Sequence, residues 1–186
     1  GGILGLRDTH AEAAKEQGIQ WIDLVVCNLY PFEETIKKND SSYDTALENI
    51  DIGGPSMIRS AAKNVGWVTV IVNSDDYSSV MEEMKSNGSI GFETRKRLSA
   101  AAFRHTAQYD SLIQSYFTTE QFPEELSLTY RRFNSLRYGE NPHQQAAAYS
   151  AVLPPDQEDS MSILNAEILN GKQLSYNNLN DADGAL

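Results

Sequence analysis

The sequence predicts an α/β protein with a parallel sheet at its centre, and three observations carry that expectation. Two short valine-rich apolar runs, residues 22–28 and 68–73, are continuous rather than alternating with polar residues. Continuous apolar strands belong to sheets covered on both faces. Helical patterns flank each run, the spacing expected of the connections between parallel strands.

Taken in order, residues 9–17 read as a helix leading into the first run. Residues 43–49 form a second, short helical pattern. Residues 55–64 form a third, with Pro55 in its first turn, where a missing N–H costs nothing. After the second apolar run, Ser74 or Asp75 caps a helix whose apolar stripe is Tyr77, Val80, Met81 and Met84, and Gly88 ends it. A long helix over residues 92–116 places Leu98, Ala101, Ala102, Tyr109, Leu112, Ile113 and Tyr116 on one face. Residues 118–127, with Phe122-Pro123-Glu124-Glu125, show no period and read as a linker. Beyond it, the apolar stretches 146–149 and 163–169 are separated by a turn at Pro154-Pro155-Asp156, and a polar, asparagine-rich segment follows. This last third is too short to bury a core of its own. The chain opens on Gly1-Gly2-Ile3-Leu4-Gly5 and closes on Asp183-Gly184-Ala185-Leu186, which reads as a helix start, so both ends look cut.

Composition excludes several classes of function. Among 186 residues, 15 are Lys or Arg and 26 are Asp or Glu, a net charge of −11. A polyanion needs clustered cations, so no broad nucleic-acid surface is expected, although a few local donors suffice for a single phosphate. The one cysteine, Cys27, rules out a disulfide framework within the chain and points to a reducing cytoplasm. Lying in Leu24-Val25-Val26-Cys27, it reads as a small core residue rather than a nucleophile. There is no membrane-spanning apolar stretch and no signal-peptide pattern. His10 and His143 have no partner at metal-ligand spacing, so no metal site is expected.

Four stretches could carry chemistry. Asn28-Leu29-Tyr30-Pro31-Phe32 falls at the carboxyl end of the first strand, where open α/β sheets bind ligands; Tyr30 either offers its hydroxyl to a substrate or packs over the strand end. In Asn49-Ile50-Asp51-Ile52-Gly53-Gly54-Pro55-Ser56 a carboxylate and two glycines precede a helix N-terminus. Such a turn brings backbone N–H groups close to a ligand and favours negative charge; otherwise it is a helix capped by Ser56 or Asp51. Arg59 and Lys63 share one face of the following helix, and Lys63 is either solvated or a proton carrier in a cleft. His105, on the apolar face of the long helix, reads as a satisfied core histidine. Finally, Leu136-Arg137-Tyr138-Gly139-Glu140-Asn141-Pro142-His143-Gln144 and Leu169-Asn170-Gly171-Lys172-Gln173-Leu174-Ser175-Tyr176-Asn177-Asn178 are dense in hydrogen-bonding groups. Arg137 suits a phosphate, Tyr138 a heterocycle and the amides a carboxamide edge; both stretches also suit surface turns.

Together with Gly1-Gly2-Ile3-Leu4, Ala61-Ala62-Lys63-Asn64 and Ala102-Phe103-Arg104-His105-Thr106-Ala107-Gln108-Tyr109-Asp110, these stretches occur in the order found in one family. Across its length the chain resembles the bifunctional IMP cyclohydrolase and AICAR transformylase. The resemblance implies a methylglyoxal-synthase-like α/β domain over residues 1–127, lacking its N-terminal part, and the opening of a cytidine-deaminase-like α/β transformylase domain over 128–186. It implies two reactions in purine biosynthesis: closure of formyl-AICAR to inosine monophosphate with loss of water, and transfer of a formyl group from 10-formyltetrahydrofolate to AICAR. No cofactor is implied for ring closure. The partners implied are the nucleotides AICAR, formyl-AICAR and IMP and a second subunit of a homodimer, with neither nucleic acid nor membrane.

Residue by residue, the resemblance marks Tyr30, Asp51 and Lys63 as catalytic or substrate-orienting, with Asp51 accepting the amide proton, Lys63 donating to the departing oxygen and Tyr30 orienting the formyl group. It gives the backbone of Ile52, Gly53 and Gly54 the role of donor to the substrate carbonyl. Arg137, Tyr138 and Asn178 match nucleotide-contacting positions. The family's phosphate-binding loop and its Lys-Thr-Leu-His-Pro motif would precede Gly1, and its Lys-His pair for formyl transfer would follow Leu186. The chain departs from the family pattern at Val65, where histidine is common, and at Ala101, where lysine is. Two other readings compete: a regulatory module that binds a phosphorylated metabolite without chemistry, and an inert fragment.

Overall fold

The computed structural model describes residues 1–38, 40–155 and 162–186. The chain divides into two compact units, Gly1–Asp110 and Ser111–Leu186. In the first, α1 (Ala11–Glu16) leads to β1 (Leu24–Val26), followed by α2 (Phe32–Ile36), α3 (Tyr43–Glu48), α4 (Gly53–Lys63) and β2 (Thr69–Ile71). A 3₁₀ turn at Ser74–Asp76 runs into α5 (Tyr77–Asn87), and α6 (Phe92–Phe117) begins in the first unit and continues into the second.

The two apolar runs pair as parallel strands, Leu24 with Thr69, Val25 with Val70 and Val26 with Ile71. This is an α/β fold, as the periodicity indicates. β2 is buried on both faces. On one, Val25, Ile58, Ala61, Ala62, Val68, Val70 and Ala102 form a cluster; on the other, Ile71 packs with Val80, Ile90 and Leu98. Each small alanine of α4 lets that helix lie close to the sheet. β1 differs from expectation: Val25 is buried, but Leu24 and Val26 point to an open face that no described element covers.

Other details depart from local pattern. The side chain of Asn73, rather than Ser74 or Asp75, caps the turn before α5, its Oδ1 accepting from the Asp75 N–H at 3.1 Å. Gly88 ends α5 with φ of 70°, a left-handed geometry that favours glycine. α4 begins at Gly53, two residues before the expected start, and Pro55 remains within its first turn. α2 lies outside the helical patterns that the sequence spacing predicts, although its buried Phe32, Thr35 and Ile36 fall at i, i+3 and i+4.

Two polar side chains hold the turns around α4. The buried Asn64 amide donates to the carbonyls of Ile3 at 2.8 Å and Gly5 at 3.0 Å. Arg95 on α6 donates to the carbonyls of Val65, Gly66 and Ile90. We expect Asn64→Ala to lower stability by about 1–3 kcal/mol, because it removes both hydrogen bonds of a buried amide to the Ile3 and Gly5 carbonyls. A denaturant midpoint equal to that of the parent chain rules this out.

In the second unit, β3 (Tyr130–Ser135) and β4 (Ala147–Ala151) form an antiparallel ladder with an irregularity between Arg132 and Asn134. β3 is exposed throughout, so it carries no apolar alternation by which it could be recognised. Of residues 163–169 only Ile163–Asn165 are regular, as one 3₁₀ turn. The turn expected at Pro154-Pro155-Asp156 lies partly outside the described residues. α7 (Tyr176–Asp183) is the last element, so Asp183 ends a helix and Gly184–Leu186 follow it, rather than starting one. Among the described residues no helix is long and apolar enough to cross a membrane.

Candidate functional sites

In the first unit the chain folds the segment 49–54 against the carboxyl end of β1. Asp51 Oδ1 accepts the Gly54 N–H at 2.7 Å, capping α4 from one residue before its N-cap, Ile52, whose own side chain caps nothing. Ser56, the other candidate cap, instead donates its hydroxyl back to the Ile52 carbonyl. Helix starts leave four N–H groups without intrahelical partners. Here Gly54 is engaged with Asp51 and Pro55 has none to give, which leaves Ile52 and Gly53 as the open donors beside the carboxylate.

The two glycines differ in what they need. A Cβ on Gly54 would lie 2.5 Å from Asp51 Oδ2 and 2.6 Å from Leu29 Cδ2, so the turn closes on the strand end only without a side chain. A Cβ on Gly53 would meet nothing within 4 Å. Leu29 thus brings the 28–31 loop onto the Asp51 turn, and Tyr30, next in sequence, is exposed there. Cys27 is partly buried against the core, as expected, and its thiol is pushed above the usual value by burial and then by the Asp51 carboxylate. The thiol therefore stays protonated.

Lys63 lies apart from this group. Its Cα is ten residues beyond Gly53, roughly 15 Å along the α4 axis at 1.5 Å per residue. It is exposed and forms no ion pair among the described residues. A lysine side chain does not span that separation, so Lys63 makes no direct contact with the Asp51 carboxylate.

Tyr109 joins the site without any local signal for it. Its hydroxyl accepts the Asp51 backbone N–H at 2.7 Å and donates to the Asn49 carbonyl at 3.1 Å. Its ring meets Phe32 of α2 edge-on, with centroids 6.3 Å apart. Burial raises the hydroxyl pKa, an effect the Asp51 N–H partly offsets, and the group stays a neutral donor. A tyrosine rather than a phenylalanine on a buried helix face is the one hint that a partner for the hydroxyl exists.

His105 departs from the satisfied core histidine: its Nε2 is buried without a partner. Burial holds its pKa below the usual 6.5. The unfolded chain then takes up the proton first, so the stability given by the neutral ring is present above the unfolded value and lost as pH falls through the folded one. We expect the denaturant midpoint to drop between pH 7.5 and pH 5.5, and His105→Gln to flatten that drop. An unchanged pH profile in the variant excludes His105 as its source.

The second unit brings the two polar loops together. The Arg137 N–H donates to the Leu174 carbonyl at 2.9 Å, the Tyr176 N–H to the Tyr138 carbonyl at 3.0 Å, and the Asn177 amide to the Glu140 carbonyl at 3.1 Å. The Arg137 guanidinium stacks over the Tyr138 ring, 4.8 Å from its centroid. Asn178 serves a capping box at α7, its Oδ1 accepting from the Ser175 hydroxyl at 2.9 Å. Its Nδ2 is left to donate outward. A cleft of about 480 Å³ opens beside these loops, lined by Gly139, Glu140, Gln144, Gln145, Ala146 and Tyr176.

These geometries define an α/β protein with a carboxylate–glycine turn at a strand end and a second polar loop pair. Comparison with known proteins is in accord. The family described as AICARFT/IMPCHase bienzyme matches residues 61–186, and the MGS-like domain family matches residues 1–56. The chain belongs to the AICARFT/IMPCHase bienzyme family. It is 56% identical over 191 aligned positions, and over its whole length, to a bifunctional purine biosynthesis protein PurH of Streptococcus gordonii, and 56% identical to that of Streptococcus pneumoniae serotype 19F. The chain spans 36% of the length of each of these relatives. Among solved structures, one titled "Crystal structure of ForH" aligns with a TM-score of 0.51 at 32% identity, covering 61% of this chain and 59% of that one.

Proposed function

We propose that the first unit carries the ring-closing site of a purine-biosynthesis enzyme, acting on formyl-AICAR to form inosine monophosphate. The observation that supports this most directly is the Asp51 turn. A carboxylate held by Gly54 stands beside two open backbone donors and the exposed Tyr30, at the end of a parallel strand. Ring closure joins the carboxamide nitrogen to the formyl carbon of one molecule, so the protein's main task is to hold a near-attack pose. Asp51 takes the proton from the attacking amide, the N–H groups of Ile52 and Gly53 steady the carbonyl oxygen, and Tyr30 orients the formyl group. The proton that Asp51 takes passes on to the formyl oxygen, which leaves as water together with a second N–H proton of the substrate as the ring C=N bond forms. Lys63, at the far end of α4, is assigned to orienting the nucleotide.

The same reading assigns Arg137, Tyr138 and Asn178 to nucleotide contacts in formyl transfer from 10-formyltetrahydrofolate, within a cytoplasmic homodimer. It places the division between the two functional parts at 127/128. Assaying the full-length protein with formyl-AICAR tests the central claim: inosinate formation supports it. Tight binding of the nucleotide with no turnover refutes it in favour of a regulatory module.

A further inference from the structure

We infer that Tyr109 is a positioning residue for ring closure, fixing the Asp51 carboxylate through the backbone on either side of Ile50. The inference rests on the proposed role of Asp51. One phenolic oxygen uses both its capacities on a single short loop, accepting from Asp51 N at 2.7 Å and donating to Asn49 O at 3.1 Å. The loop is thereby tied to α6, an element 58 to 60 residues further along the chain. The far end of the same loop is tied to α4, through Asp51 Oδ1 and the Gly54 N–H. Asp51 is therefore held at two points: its main chain by α6 and its carboxylate by α4. Only the first can be released without altering the carboxylate or the glycine turn.

The ring is itself held. Tyr109 is buried, and it packs edge-on against Phe32, the most deeply buried aromatic of the first unit. Phe32 begins α2, directly after the loop that carries Tyr30. One aromatic contact thus links the α6 hydroxyl to both loops of the proposed site. Both hydrogen bonds of the Tyr109 hydroxyl go to backbone groups of the loop rather than to the Asp51 carboxylate, so its effect on rate passes through the placement of Asp51.

A mutant cycle in the full-length protein tests this. Tyr109→Phe keeps the ring and its contact with Phe32 and removes only the hydroxyl. Misplacing a reacting group by about 1 Å costs up to roughly a hundredfold in rate. We expect Tyr109→Phe to lower kcat for ring closure roughly tenfold or more, with KM for formyl-AICAR nearly unchanged and formyl transfer unaffected. In the Asp51→Asn background the same change should cost less than about twofold, since residues acting as one unit are not additive. Hydrogen exchange of the Asp51 amide should also quicken.

An equal loss of kcat in both backgrounds overturns the inference, because Tyr109 then acts independently of Asp51. So does an unchanged kcat in Tyr109→Phe, or a loss confined to thermal stability. If Asp51→Asn alone keeps full ring-closing activity, the proposed role of Asp51 fails, and that result appears in the single variant whatever Tyr109 does. Should Tyr109→Phe not fold, Phe32→Leu keeps the hydroxyl while freeing the ring, and the same cycle applies to it.

Discussion

Asp51→Asn in the full-length protein is expected to cut inosinate formation about 10²–10⁴-fold, the usual share of a general base, while formyl transfer keeps its rate. Asparagine has nearly the shape of aspartate and still presents an oxygen to the Gly54 N–H, which now lies 2.7 Å from Asp51 Oδ1. The turn and the start of α4 therefore survive the change. What is lost is the negative charge and the capacity to take a proton. Stability should fall by only about 1 kcal/mol, since a charge-assisted hydrogen bond becomes a neutral one. Both rates measured on one preparation serve as the check. Undiminished ring closure eliminates Asp51 as the base; equal loss of both activities indicates damage to the fold.

Gly54→Ala is expected to reduce both stability and ring closure. The added methyl would lie 2.5 Å from one carboxylate oxygen of Asp51, 2.8 Å from its Cγ and 2.6 Å from Leu29 Cδ2. The carboxylate cannot swing aside without giving up its bond to the N–H of residue 54 itself, and Leu29 is anchored against the core. Overpacking of this kind costs about 1–3 kcal/mol, to which loss of the hydrogen bond to a charged group adds about 1.5–3 kcal/mol. Gly53→Ala is the control, because a Cβ there meets nothing, and its fold should be unchanged. If Gly53→Ala folds normally yet loses turnover, the open space beside Gly53 is where substrate approaches. A Gly54→Ala protein with parent-like midpoint and rate excludes the close packing described.

Much of this architecture is legible in local pattern. The continuous apolar runs at 22–28 and 68–73 contain β1 and β2, which pair in parallel; β2, buried on both sides, has no solvated face to fill with polar residues. The stop at Gly88 and the single long helix after it follow from backbone geometry and from spacing. The motif at 49–56 is legible as a carboxylate–glycine helix start for the same reason: caps and close turns are made by neighbours in sequence.

Other features leave no such trace. β3 carries no alternation because both its faces are exposed, and α2 was masked by the proline before it. The open face of β1 depends on what packs over the strand, which its own residues do not encode. The separation of Lys63 from Asp51 is a matter of helix length, so neighbouring motifs in the sequence lie at opposite ends of one rod. Tyr109 is the clearest case. Spacing places it on the buried face of α6, and nothing local tells which backbone its hydroxyl meets. That partner lies 58 positions away and is reached only when α6 packs beside the Asp51 loop. Residue types and their spacing were enough to mark Asp51 and the glycines as a possible site, whereas long-range packing set how that carboxylate is held.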